Sequence, residues 1–241
     1  MAATPRLPSR VSDRRLYLLA AIIFPLIVLA GFARTYYLKP FFQTPDLPNR
    51  IVHLHGIVMT AWVVLFIVQV SLVATRRTRV HQRLGIIGAG LAALVVIVGI
   101  LTALYAAARD HTPGPPALAF LIIPLGDMLI FSVLVGLALY FRRKLPIHKR
   151  LMLLAAVNVL TPAIARIQLG FIINGGPLAF FGLTDLVLLA CVAFDTIKHR
   201  RLHPAFLWGS IFIIVMQPLR LLLAGTGAWM TFAAALVNLV R

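Results

Sequence analysis

Seven runs of mostly apolar residues dominate the chain, at roughly 16–37, 51–74, 84–108, 117–141, 151–173, 177–197 and 205–224. A hydrocarbon core about 30 Å thick is crossed by about 20 residues of helix. Inside lipid every backbone N–H and C=O must find its partner within the protein, which leaves helices and closed barrels as the spanning forms. Runs this long specify an all-α fold, a polytopic membrane helical bundle of seven transmembrane helices. The first run ends in Phe32-Ala-Arg-Thr-Tyr-Tyr37 rather than at a small-residue cleavage site, so it reads as a span and not as a signal peptide. Residues 1–15 are expected to form a flexible cytoplasmic tail, and 16–241 a single seven-helix transmembrane domain.

Composition removes the main competitors. The net charge is +17, but 61% of the residues are apolar and only 12% charged. A soluble nucleic-acid binder could carry that charge and could not hide that much hydrocarbon from water. One cysteine, Cys191, excludes an intramolecular disulfide framework and any Cys-rich zinc site. The cations also sort by loop. With the N-terminus cytoplasmic, the tail, the 2–3 loop (Arg76, Arg77, Arg79, Arg83), the 4–5 loop (Arg142, Arg143, Lys144, Lys149, Arg150) and the 6–7 loop (Lys198, Arg200, Arg201) hold 16 of the 23 lysines and arginines. Cationic loops are poorly translocated, so this bias sets the orientation. It also makes anionic lipid headgroups, not nucleic acid, the expected partner of these loops. Asp195, near Lys198 and Arg200, is expected to form an interfacial pair of little worth.

Between the spans, the proline-bearing 38–50 segment is expected to be an ordered, non-helical outer loop. After Gly225-Thr226-Gly227, the apolar stretch 228–240 is too short to cross. It should lie in the outer interface with Trp229 as an anchor, or pack back on the bundle. Gly85, Gly88, Gly90 and Gly99 in the third span, with Gln69 and Asn158 as single amides, read as close-packing and cross-helix bonding positions.

Three basic turns read alike: Arg76-Arg77-Thr-Arg-Val-His81, Arg142-Arg143-Lys-Leu-Pro-Ile-His148 and Arg200-Arg201-Leu-His203. The likeness extends into the membrane. Asp127 and Asp185 each lie 15 residues before the second and third arginine pairs, and Arg166 and Arg220 lie 18 and 17 residues after His148 and His203. The expected architecture is one helix followed by three similar hairpins. At 1.5 Å per residue all four charges reach the outer half of the membrane, at about 22–27 Å above the basic turns. Each costs at least about 2.5–3.5 kcal/mol to insert alone. Asp127 with Arg166 and Asp185 with Arg220 are the simplest pairings, and crossed pairs serve equally. The functional reading is an outward polar pocket in which two planar guanidinium forks hold a small anionic or polar ligand. The structural reading is two buried ion pairs that fix register. His55 joins the pocket as candidate because residues i and i+2 of a helix point apart, so His53 and His55 cannot both face inward. Met59 and Trp62 share the face of His55.

His81, His148 and His203 are candidate cofactor ligands, since three imidazoles at one membrane face could hold haem iron or another metal. Their place beside arginines at helix starts equally suits lipid phosphate. No Gly-rich phosphate loop, H-E-x-x-H or G-x-S-x-G occurs, so no enzyme class follows.

The stretches His53-Leu-His-Gly-Ile-Val-Met-Thr-Ala-Trp62, His81-Gln-Arg-Leu-Gly85, Pro124-Leu-Gly-Asp127, His148-Lys-Arg-Leu-Met152, Thr161-Pro-Ala-Ile-Ala-Arg166 and Gln217-Pro-Leu-Arg220 resemble a family of multi-pass bacterial inner-membrane proteins of unknown function. The resemblance implies a bacterial inner membrane and no activity. A looser likeness, carried by histidine placement alone, is to small membrane proteins related to oxidase assembly or b-type cytochromes. Three functions follow as expectations. The first is binding or transport of a small anionic or polar ligand by Asp127, Arg166, Asp185, Arg220 and His55. The second is haem- or metal-dependent redox chemistry, and the third is an assembly or structural role.

Overall fold

A computed structural model describes residues 10–44, 49–112 and 116–240. Among them there is no strand, and seven helical segments are long and apolar enough to cross a membrane. The first span is α1 (Arg10–Phe32), prolonged by a π-helical turn at Ala33–Tyr37. It begins at Arg10, earlier than expected, so residues 10–15 belong to a helix; the rest of the expected tail, 1–9, lies outside the described residues. A 3-10 turn at Lys39–Phe41 stands where a non-helical loop was expected. Then come α2 (Arg50–Ala74), capped by the Asn49 side chain, and α3 (Thr78–Ala108). The fourth span is α4 (Ala117–Phe120) with α5 (Ile122–Tyr140).

The fifth span departs most from the sequence reading. Its rod, α6 (Leu145–Asn158), stops at a turn; α7 (Thr161–Ile164) restarts on Pro162, and the chain then passes through a turn at 165–166 and is irregular to 169. The span expected at 151–173 therefore lies at 145–164, six to nine residues earlier. Proline has no N–H to continue the ladder and is tolerated where a helix starts afresh. The sixth span, α8 (Gly170–His199), likewise begins early and bends at Gly176, whose φ of 52° suits glycine just before Pro177. The seventh is α9 (Pro204–Leu223), followed by α10 (Gly227–Asn238). Of the two placements considered for 228–240, the second is found. α10 folds back on α3 and α4, sharing an apolar cluster with Ala103, Leu104, Ala107 and Leu121, and Trp229 donates its indole N–H to the Leu118 carbonyl at 2.8 Å.

The bundle is apolar on both its outside and its inside. Leu178, Ile197, Ile86 and Leu222 are each more than three-quarters exposed, while Asp127, Arg150, Asp195 and Arg220 are at most 3% exposed. That distribution suits lipid as solvent, not water. The fifth span is central. Leu154, Ala155 and Val157 have no exposure, and the segment has the lowest mean hydropathy of the seven, 1.2. A helix lined by protein needs less hydrocarbon of its own. Helices α2 and α3 pack along each other, as do α5 and α6, whereas α8 and α9 meet only lightly and α9 packs chiefly on α6 and α5. Gly88 and Gly99 lie close under Leu65 and Met128, as expected of small residues at helix contacts, but Gly90 faces open space.

Candidate functional site

At the end of the bundle remote from the arginine-rich turns, four spans contribute to a polar layer. Asp127 of α5 is almost fully buried and accepts from Arg220 Nη1 of α9 at 2.6 Å. The same Nη1 donates to the Ile123 carbonyl at 2.8 Å, and Arg220 Nε donates to the Met216 carbonyl at 3.1 Å. The guanidinium also lies 4.9 Å from the Phe181 ring centroid. Gly126 makes this approach possible: a Cβ there would overlap the Arg220 side chain at Cδ. Asn158 of α6 donates to the Asp127 carbonyl at 3.0 Å, which is the cross-helix amide bond expected of it. Asp185 of α8 accepts from Gln217 Nε2 at 2.8 Å, and the Thr161 and Thr184 hydroxyls meet at 3.2 Å.

The pairing is thus a crossed one. Asp127 takes Arg220, and Asp185 takes an amide in place of an arginine. Arg166 pairs with no carboxylate among the described residues. It lies in the irregular 165–169 segment, exposed, with Nη1 donating to the Pro162 carbonyl at 2.9 Å and its guanidinium 4.9 Å from the Phe32 ring centroid. Pro162 explains this geometry. The chain leaves the helix after α7, so no main-chain donor from the next turn reaches the Pro162 carbonyl, and the Arg166 side chain supplies one.

On α2, His53 is exposed and His55 half-buried, in line with the opposed directions of i and i+2. His55 Nδ1 and Trp62 Nε1 are both buried without a hydrogen-bond partner. Trp62 meets the Phe131 ring edge-on at 5.0 Å, one helical turn along α5 from Asp127.

The three basic-end histidines do not converge. His81 and His148 approach, with ring centroids 6.5 Å apart, but His203 stands elsewhere, and among the described residues no three His, Cys, Asp or Glu side chains form a metal-holding group. With its amide turned to satisfy its neighbours, Gln69 donates to His81 Nδ1 at 2.6 Å and accepts from the Gly85 N–H. His148 Nδ1 bonds the Ala138 carbonyl at 2.8 Å. In the neutral forms this puts the His81 proton on Nε2 and leaves His148 Nε2 an acceptor, so both rings serve as helix-to-helix ties. His203 caps α9, its Nδ1 accepting from the Ala205 N–H at 3.1 Å. Burial and the charges of Arg150, Arg201 and Lys149 hold its pKa below the usual histidine value, with Asp195 pulling the other way.

One prominent pair escaped the sequence reading. Arg150 donates Nε and Nη2 to the two oxygens of Asp195, each at 2.9 Å, and Nη1 to the Pro146 carbonyl at 2.8 Å. Both partners are at most 3% exposed. Asp195 is therefore no weak interfacial partner of Lys198 and Arg200, and Arg150 leaves the lipid-facing fringe. The signal was present as a stripe: Thr184, Leu188, Cys191 and Asp195 recur at helical spacing and are all buried. Gln217, three residues before Arg220 and so on the same helix face, is the other residue that spacing could have found.

Comparison with protein-family models, curated proteins and solved structures yields no match. Seven apolar helices make this an integral, multi-pass membrane protein.

Proposed function

We propose that the protein binds a small anionic or polar ligand, as a binding or transport protein, in the half of the bundle remote from the arginine-rich turns. The membrane is a bacterial inner membrane, the N-terminus is cytoplasmic, and the binding half faces outward. The observation that carries the reading is a set of polar groups with unused hydrogen-bonding capacity, Arg166 with His55 and, two turns along α2, Trp62. The Arg166 guanidinium spends one N–H on a carbonyl, while His55 Nδ1 and Trp62 Nε1 are buried without partners. A buried polar atom left unpaired costs about 1–3 kcal/mol, which an incoming ligand or water would recover.

The roles of the four charges then differ. Arg220 is committed to Asp127 and two carbonyls, so it holds α5 to α9. Arg166 and His55 meet the ligand, and Asp185 with Gln217 borders it. Ligand-dependent thermal stability of the purified protein tests this, with acetate, succinate, sulfate and inorganic phosphate as probes. At 100 times Kd a ligand adds about 2.7 kcal/mol. At least one probe should raise Tm in the wild type and in Arg201→Gln, but not in Arg166→Gln or His55→Gln. If no probe gives a rise that depends on Arg166, the assignment fails. A Soret band in cofactor-replete protein, lost on substituting a histidine, would move the protein to the haem-binding class instead.

A further inference from the structure

Three of the described aspartates lie inside spans, and one of them has no cation. Asp127 meets Arg220 and Asp195 meets Arg150. The Asp185 carboxylate forms no ion pair among the described residues and takes one hydrogen bond, from Gln217 Nε2 at 2.8 Å. Asp185 lies deep in the apolar layer, 14 residues from the His199 end of α8 and nine from the bend at Gly176. Along the helix these are about 21 Å and about 14 Å. It stands on the border of two stripes: Phe181, Thr184 and Leu188 are buried, while Gly182, Leu186 and Leu189 are exposed. A helical side chain leans toward the helix N-terminus and covers the turn before its own Cα. For Asp185 that turn includes Gly182, where an added Cβ would meet nothing within 4 Å. The half-buried carboxyl therefore reaches the lipid-facing edge of the bundle, and Gly182 has no side chain to cover it.

The charged groups on the elements packed against α8 are engaged elsewhere. On α9, Arg220 serves Asp127 and two carbonyls. On α6, Arg150 is held by Asp195 at the basic end. After α7, Arg166 donates to the Pro162 carbonyl and lies over the Phe32 ring. On the first span, Arg14 donates to the Ala74 carbonyl and Arg34 lies over the Phe42 ring. An ionised carboxylate alone in a bilayer costs at least about 2.5–3.5 kcal/mol, and protonation removes that cost. A hard metal cation would need several oxygen ligands. What touches Asp185 is an N–H donor, and the adjacent Thr184 hydroxyl is committed to the Phe180 carbonyl at 2.8 Å. We infer that Asp185 is a proton-binding site, which takes up and releases a proton at the lipid-facing edge of the bundle. Gln217 serves both states. Its N–H donates to the ionised carboxylate, and its amide oxygen, turned round, accepts from the protonated one. The inference concerns a proton and not the ligand assigned to Arg166, and it stands without that reading.

The test labels the full-length protein in proteoliposomes with dicyclohexylcarbodiimide. This apolar reagent adds to a protonated carboxyl and leaves a stable N-acylurea, whose position is read by peptide mass spectrometry without relying on any variant. At about pH 6 the adduct should form on Asp185, and its initial rate should fall several-fold at about pH 9. The adduct should disappear in Asp185→Asn. It should form more slowly in Gly182→Leu, where a side chain placed in open space covers the carboxyl. Sodium or potassium added at constant pH should leave the rate unchanged. Three results would each overturn the proposal. No adduct on Asp185 at the lower pH means a carboxylate that stays ionised or is shut away from lipid. Equal rates at both pH values mean a proton that is never released. Protection by sodium or potassium at constant pH means a metal-cation site.

Discussion

At the scale of single residues, buried charge separates into two kinds of pair. Arg150 and Asp195 meet through a two-pronged bond, with each of the three guanidinium nitrogens donating once, whereas Asp127 offers one oxygen to an arginine that also serves two carbonyls. Removing one member of a buried pair strands the other, typically at about 3–5 kcal/mol, while replacing both by apolar residues of similar size is often neutral or better. Asp195→Asn and Arg150→Met should each unfold at markedly lower denaturant or temperature, and the double variant Arg150→Met/Asp195→Leu should recover most of the loss. Equal loss in single and double variants would show that the pair matters for something other than its own charge. Individual charges were legible in the sequence because so few acids occur: with only six in the chain, those inside apolar runs stand out. Their partners were less legible. Asp195 was read against its neighbours along the chain, Lys198 and Arg200, yet its bond is to a residue 45 positions away. Only the buried stripe ending at Asp195 carried that information.

At the scale of elements, hydropathy located all seven spans, and it erred where proline sets the boundary. A sliding apolar window runs through Pro162 and Pro177 without registering that each resets the hydrogen-bond ladder. Asp127 and Arg220 do meet, and this crossed choice depends on α9 packing against α5, which hairpin logic does not select. Glycine shows the same division. Two glycines of ordinary appearance have opposite surroundings: a methyl at Gly126 would collide with the Arg220 side chain, and one at Gly90 meets nothing within 4 Å. Gly126→Ala should therefore destabilise by about 1–3 kcal/mol through overpacking, measured as a drop in Tm. Gly90→Ala should be neutral or stabilising by up to about 1 kcal/mol, since alanine is the better helix former.

At the scale of the whole molecule, the proposed orientation rests on the distribution of cations, and site-directed labelling tests it. In a Cys191→Ala background, a cysteine introduced by Thr78→Cys should react with a membrane-impermeant maleimide only in inverted vesicles or permeabilised cells. One introduced by Gly225→Cys should react in intact spheroplasts; the reverse pattern would invert the bundle and turn the Arg166 site toward the cytoplasm. The central fifth span carries a consequence for how the chain is made. It has the lowest mean hydropathy of the seven, carries Arg150 within it, and finds that arginine's counter-charge only on the next span to be synthesised. As a nascent segment it has little tendency to enter lipid unaided. The fifth span is therefore expected to enter the bilayer together with the sixth, which carries Asp195. An order of insertion is thus an expected consequence of the same ion pair that ties α6 to α8 in the folded bundle.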